Sequence, residues 1–257
     1  PSYSADSIVN SANHRAGYFA PNTFVTIYGT NLSFNTKTVG YEDLRAGTLP
    51  EEAGGVQVWV GAAWAHLLYT SPKQINLLLP YVLTPGEHVL RVHRDGRVGP
   101  EVRIRLREAA PAMFSIGEPA SLIATHADGS LIDAGSPAAP GEVIVLYAVG
   151  LWRTEPDQVS GRLAPTAANL LRRRELRVVL GGAELAPERI WYAGITPGFA
   201  GLYQINVWLP EPLPRDPEIR LRLGDESSDA GLILPASDTS AGSSSPSTPP
   251  DRTVPLL

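Results

Sequence analysis

The sequence predicts an all-β chain, two antiparallel β-sandwiches in tandem followed by a coreless tail, on three observations. The first is a repeat: residues 69–80 read YTSPKQINLLLP and residues 192–210 read YAGITPGFAGLYQINVWLP. Their Gln-Ile-Asn triplets and their Leu-Pro pairs match at one offset of 130 residues (204 − 74). The second is composition, since 24 Gly and 24 Pro in 257 residues confine regular structure to short segments between turns. The third is period-two alternation of β-branched and aromatic residues, which marks half-buried strands rather than helices.

Taken in order, residues 1–19 read as polar and irregular, with Tyr18-Phe19 the first anchor. A strand is predicted at 22–29, opened by Pro21 and closed by Gly29, with Phe24, Thr26 and Tyr28 alternating with Val25 and Ile27. Its counterpart lies in the stretch 139–151, APGEVIVLYAVGL, where Tyr147 stands for Tyr28 at an offset of 119 (147 − 28). The offset grows to 123 at Tyr69/Tyr192 and to 130 at the triplets, so the second copy carries the longer loops. Val56, Val58 and Val60 alternate with Gln57 and Trp59, and Leu176, Val178 and Leu180 take the same inward places in the second copy. Asp95-Gly96 signals a hairpin between 88–93 and 102–106, and the second copy repeats it as 218–223, a turn at Gly224-Asp225, and 231–234. Each copy thus offers about seven short strands at sandwich spacing. The join at 108–115, EAAPAMFS, is stiffened by Pro111, and Met113-Phe114 is placed to pack one copy on the other. Ser, Pro and Thr dominate from Ala236 onward, too little apolar surface to offset ordering entropy, and disorder is expected over 236–257.

Composition excludes several function classes. A net charge of −5 gives no electrostatic footprint for nucleic acid, and no apolar run approaches the length needed to span a bilayer. The absence of cysteine removes disulfide frameworks and thiolate metal sites. The start at Pro1, without methionine, is read as a processed or cut N-terminus.

Several stretches together resemble a known family, the two-part C-terminal module abundant in secreted proteins of Acidobacteria such as Solibacter. They are the Asn-Ser-Ala-Asn at 10–13, APNTFVTIYGTNLS, TLPEEAGGVQVWVGA, LLYTSPKQINLLLPY, AAPAMFS, PAAPGEVIVLYAVGL and YAGITPGFAGLYQINVWLP, spanning about residues 8–235. The resemblance implies a secreted or cell-surface protein made of Ig-like sandwiches similar to IPT/TIG domains, with no catalytic residue to carry over. The Arg172-Arg173-Arg174 run departs from the family pattern.

Chemistry is sparse. His88 and His93 are five apart on one predicted strand and point to opposite faces, and no His-Glu-x-x-His motif occurs, so no metal site is expected. Asp128-Gly129-Ser130 and Asp225-Glu226 read as turns without the acidic run of a calcium loop. There is no Gly-x-Ser-x-Gly, and Glu51-Glu52 and Asp225-Glu226 sit in solvated loops, so no catalytic residue and no cofactor are assigned. The tryptophans are the candidate ligand-binding residues: Trp59 faces away from the core valines, Trp208 shares a face with Asn206, and Trp64 stands beside a turn. Exposed aromatic faces suit sugar stacking or a protein partner, although packing alone also places aromatics on strands. The Arg172–Arg174 run reads as a solvated loop end or, less simply, as a contact for an acidic polymer. The repeated Gln and Asn side chains and the tyrosines Tyr69 and Tyr192 are expected to brace neighbouring turns.

The resulting expectation is an Ig-like sandwich at 1–109, a second at 110–235 and the tail at 236–257. It would act as a monomeric, non-enzymatic extracellular module for adhesion or presentation, forming the C-terminal part of a larger secreted protein. Its partner would be a protein or a cell-surface polysaccharide, without nucleic acid or membrane insertion. The alternative is a carbohydrate-binding module using Trp59, Trp64 and Trp208.

Overall fold

The computed structural model of the chain describes residues 1–117 and 120–238. Regular structure there is strand, apart from four single-turn 3-10 segments. The N-terminal half carries β1 (Ile8–Asn10), β2 (Tyr18–Phe19), β3 (Phe24–Tyr28), β4 (Lys37–Thr38), β5 (Val56–Val60), β6 (Ala63–Trp64), β7 (His66–Thr70), β8 (Gln74–Leu78), β9 (Gly86–Arg94), β10 (Arg97–Val98) and β11 (Val102–Leu106). The C-terminal half carries β12 (Ala112–Met113), β13 (Ser115–Ile116), β14 (Ser121–Leu122), β15 (Ala124–His126), β16 (Val143–Val149), β17 (Thr154–Glu155) and β18 (Ala168–Leu170). It continues through β19 (Leu176–Leu180), β20 (Ala183–Glu184), β21 (Ile190–Ile195), β22 (Tyr203–Trp208), β23 (Ile219–Leu223) and β24 (Glu226–Ser227).

In the first half one sheet runs β1-β3-β8-β7-β4 and the facing one β2-β11-β9-β5-β6, with β10 on β9. In the second half the sheets run β12-β16-β22-β21-β18-β17, with β15 also on β16, and β20-β19-β23-β24; β13 and β14 form a hairpin. Among the described residues the strands pair antiparallel except β2 with β11, and the isolated bridges of Ser121 with Ile233 and of Ala138 with Ala236 are parallel too. Alternation fixes which face is inward. Val56, Val58 and Val60 are buried against half-buried Gln57 and Trp59, and Leu176, Val178 and Leu180 repeat this in β19. Buried apolar side chains gather into one cluster drawn from 3–106 and another drawn from 109–236.

The repeat is visible in the register. Tyr28 pairs with Gln74 and Thr26 with Asn76; at the equivalent places Tyr147 pairs with Gln204 and Val145 with Asn206. Across the next pair, Tyr69 meets Asn76 and Tyr192 meets Asn206, each just past a register shift. A one-residue slip would reverse every inward side chain, so the shared register reflects one pairing scheme used twice.

Three sequence expectations shift. Residues 1–19 are not irregular: Ile8 and Val9 are buried in β1, and the buried Tyr3 donates its hydroxyl to Pro100 O at 2.6 Å while accepting Val92 N at 2.8 Å. A two-residue apolar run is too short to show periodicity. Residues 231–234 form isolated bridges instead of a strand, because Ile233 divides its bonding between Glu218 and Ser121 and Pro235 offers no N–H to extend a ladder. Ala236 is buried and bridges Ala138, and Ser237 N donates to Ala138 O at 2.9 Å, so 236–238 belong to the second half; a small apolar residue ahead of Ser and Asp looks like tail by composition alone. The rest of the expected tail, 239–257, lies outside the described residues.

The halves meet along an extensive seam. Leu49 N donates to Gly161 O at 2.9 Å and Leu163 N to Gly47 O at 2.8 Å, with Thr48 bridging Arg162. Arg107 holds Glu226 with both contacts from Nη1 at 2.8–2.9 Å, and Asn13 Nδ2 donates to Asp229 at 2.8 Å. Ala12, Ala112 and Val149 form a small apolar cluster across the join, with Phe24 and Phe114 against it. Phe114 thus packs between the halves as expected, while Met113 turns into the second core. Glycine is required at 161, where φ is +67° and a Cβ would fall 2.0 Å from the His66 ring.

Candidate functional site

The three sequence-selected tryptophans do not come together. Trp59 and Trp64 pair across β5 and β6 on the outer face of the first half, whereas Trp208 lies on β22 in the second. The first pair packs edge to face, with ring centroids 4.9 Å apart and planes at 80°, and Trp64 meets His93 the same way at 5.2 Å and 83°. Such T-shaped stacking satisfies the ring quadrupoles against each other instead of offering one flat two-ring platform. Trp208 is also engaged: its Nε1 donates to Gly141 O at 3.0 Å, and the Arg189 guanidinium lies 4.4 Å from its ring centroid. Trp191 is its tilted neighbour at 6.3 Å.

One constellation was missed in the sequence. His126, at the end of β15, places Nε2 3.2 Å from Ser136 Oγ and Nδ1 3.2 Å from Glu142 Oε2. Serine, histidine and carboxylate in this order have the spacing of a nucleophilic triad. The surroundings do not complete it. Asp133 Oδ1 takes the Gly135 and Ser136 N–H groups at 2.7 and 2.9 Å, so a carboxylate occupies the backbone donors beside the serine where an oxyanion would need them. His126 Nε2 also lies 3.1 Å from the Ser136 carbonyl, so one ring nitrogen spans both oxygens of Ser136, while Nδ1 reaches Glu142 just ahead of β16. The signal was invisible because the nine residues 127–135 separate the histidine from the serine.

No protein-family model matches the chain, and no curated protein matches it. Among solved structures it is similar to a surface glycan-binding protein from Prevotella bryantii, at 11% identity and a TM-score of 0.28, over 91% of this chain and 42% of that one. It is also similar to the SGBP-B protein of the Bacteroides ovatus mixed-linkage glucan utilization locus, solved with a mixed-linkage heptasaccharide, at 9% identity and a TM-score of 0.34, over 85% of this chain and 43% of that one. A third is SGBP-B from a complex xyloglucan utilization locus in Bacteroides uniformis, at 9% identity and a TM-score of 0.27, over 91% of this chain and 50% of that one. The chain spans half or less of the length of each. With every TM-score this low, none of them carries a function to this chain.

The remaining sequence candidates are spoken for. Asp128 caps its turn by accepting Ser130 N at 2.9 Å and Ser130 Oγ at 2.6 Å, and these bonds hold its carboxyl below the ordinary range. Among the described residues no three His, Asp or Glu gather in a way that could hold a metal ion. Arg172 is bound to Glu175 at 2.6 Å and Arg173 donates to the Ile190 carbonyl at 2.8 Å, so two of the three arginines fasten the turn before β19. The Gln-Ile-Asn side chains bond along their own strands instead of to turns: Gln74 Nε2 donates to Asn76 Oδ1 at 2.8 Å and Gln204 Nε2 to Asn206 Oδ1 at 2.9 Å. Tyr192 does brace its corner, donating to Ile195 O at 2.6 Å, and burial pushes its phenol up to about 12.

A polar network lies on the seam. Tyr81 donates to Asp157 Oδ1, its N–H donates to Ser160 Oγ at 3.1 Å, and its carbonyl accepts Trp152 Nε1 at 3.4 Å. Tyr203, fully buried, donates to Trp152 O at 2.5 Å and accepts Asn22 Nδ2 at 3.3 Å. No local pattern links these residues to one another, since each partner pair joins positions more than fifty apart.

Proposed function

We propose that the chain consists of two tandem Ig-like sandwiches, about 1–109 and 110–238, acting as a non-enzymatic extracellular module that holds a binding surface at a set orientation. The observation that carries this reading is the seam: Tyr81, Asn22 and the 47–49 loop of one half engage Asp157, Tyr203 and the 161–163 loop of the other. Two units tied by this many directional bonds form a stiff spacer, which is what presentation or adhesion needs. The use of His126, Glu142 and Asp133 as loop ties supports the non-enzymatic part, because the groups that could do chemistry are spent on structure.

Carbohydrate binding is the second reading, favoured by half-exposed Trp59 and Trp64 beside His93. Titrating the chain with soluble plant and bacterial polysaccharides while following tryptophan emission separates the two. The spacer reading expects no saturable quenching. Quenching lost in Trp64→Ala would establish the carbohydrate reading instead. Turnover on ester, glycoside or peptide substrates that disappears in Ser136→Ala would defeat both.

A further inference from the structure

The longest insertion that separates the two copies lies between Tyr192 and Gln204, where the offset jumps from 123 to 130. This inserted loop does not dangle. Thr196 N bonds Leu202 O at 2.8 Å, Gly198 N bonds Ala164 O at 2.8 Å, and Ala164 N returns to Phe199 O at 3.0 Å. Its residues Thr196 and Phe199 form one wall of a cleft of about 650 Å³ on the seam, with Phe114 and Tyr147 beside them and Phe24 and Asn76 opposite on the first half. A second chamber of about 250 Å³ shares Phe24 and Phe199 and lengthens the cleft.

The lining restricts what fits. No charged side chain lines either chamber, which disfavours an ionic ligand. Polar groups are few. Thr196 is fully buried and its Oγ1 has no hydrogen-bond partner among the described residues. Asn76 spends its Oδ1 on Gln74 and Thr26, leaving its Nδ2 to donate. An extended peptide would bring an N–H and a carbonyl at every residue, and a saccharide several hydroxyls on each ring; most would go unpaired here, at a cost for each. Aromatic walls with one or two convergent polar groups are instead the make-up of small-molecule pockets, and the volume lies in their usual range.

We propose that this seam cleft binds a neutral, mainly apolar small molecule whose ring system packs among Phe24, Phe114, Tyr147 and Phe199 and whose single carbonyl or hydroxyl meets Thr196 Oγ1 or Asn76 Nδ2. The insertion that breaks the repeat is then the element that makes the site.

Titration of the full chain with Nile red, a neutral apolar dye with one carbonyl, tests this. Saturable binding at one site per chain is expected, weakened about tenfold or more by Phe199→Asp. Phe199 is 48% exposed, so that variant keeps its melting profile; Val82→Asp, at a position 68% exposed and outside the cleft, leaves binding unchanged. Thr196→Val is expected to weaken binding several-fold through loss of the hydroxyl. Non-saturable uptake, equal affinity in Phe199→Asp, or displacement of the dye by a soluble oligosaccharide or an unstructured peptide would overturn the proposal.

Discussion

Tyr81 and Asp157, from opposite halves of the chain, share a hydrogen bond in which the phenol donates to the carboxylate. Burial first, and the carboxylate second, push the Tyr81 phenol up to about 12, so it stays protonated and able to donate through the physiological range. Arg153 Nη1 donates to the other oxygen of Asp157 at 2.9 Å, which fixes the orientation of the carboxylate. Because Asp157 is about half exposed, the bond belongs at the lower end of charge-assisted values, about 1.5 kcal/mol. A double-mutant cycle of Tyr81→Phe and Asp157→Asn, read by urea unfolding of the whole chain, is expected to show coupling of that size. Additive losses would mean that the pair contributes nothing to holding the halves together.

The two Gln-Ile-Asn triplets share an internal bond in surroundings of different burial, and Asn76 Oδ1 also accepts Thr26 Oγ1 at 3.2 Å where Asn206 faces Val145. Gln204 and Asn206 are buried, and Gln204 Oε1 has no partner among the described residues; Gln74 and Asn76 are half-buried. Asn206→Ala strands Gln204 Nε2 away from water and is expected to cost about 1–3 kcal/mol. Asn76→Ala leaves Gln74 within reach of solvent and is expected to cost about 1 kcal/mol or less. Urea midpoints at unchanged m-value measure both. A larger loss at Asn76 would reverse the argument.

These triplets also mark where sequence reading succeeds and where it stops. The inward faces were legible because Val56, Val58 and Val60, and Leu176, Val178 and Leu180, announce themselves by local alternation. The repeat made Tyr28 equivalent to Tyr147 and Gln74 to Gln204, but that Tyr28 pairs with Gln74 and Tyr147 with Gln204 is seen only in the register, because an alignment of two copies does not say which strands lie side by side. Bonds between distant positions had no such signal. Nothing near Tyr3 points to Val92, and nothing near Tyr203 points to Trp152 or Asn22. The same holds for His126 and Ser136, and for the edge-to-face turn of Trp64 against Trp59, which depends on ring rotation and not on strand position.

His66 makes the seam sensitive to acid. Its ring is buried against Gly161 of the other half, its Nδ1 has no hydrogen-bond partner among the described residues, and Glu51 lies 3.9 Å from its Nε2. Burial lowers its pKa below the ordinary 6.5, and Glu51 only partly offsets this. The folded chain therefore holds this proton less tightly than the unfolded chain does. The associated stability is complete above about pH 6.5 and is lost as pH falls through the lower, folded value. Urea midpoints of the native chain are expected to fall between pH 7.5 and 5.5, a window above ordinary carboxylate titration. His66→Gln, which cannot take up the proton, is expected to flatten that slope whatever its own stability. An equal slope in the variant would assign the acid response to groups elsewhere in the chain.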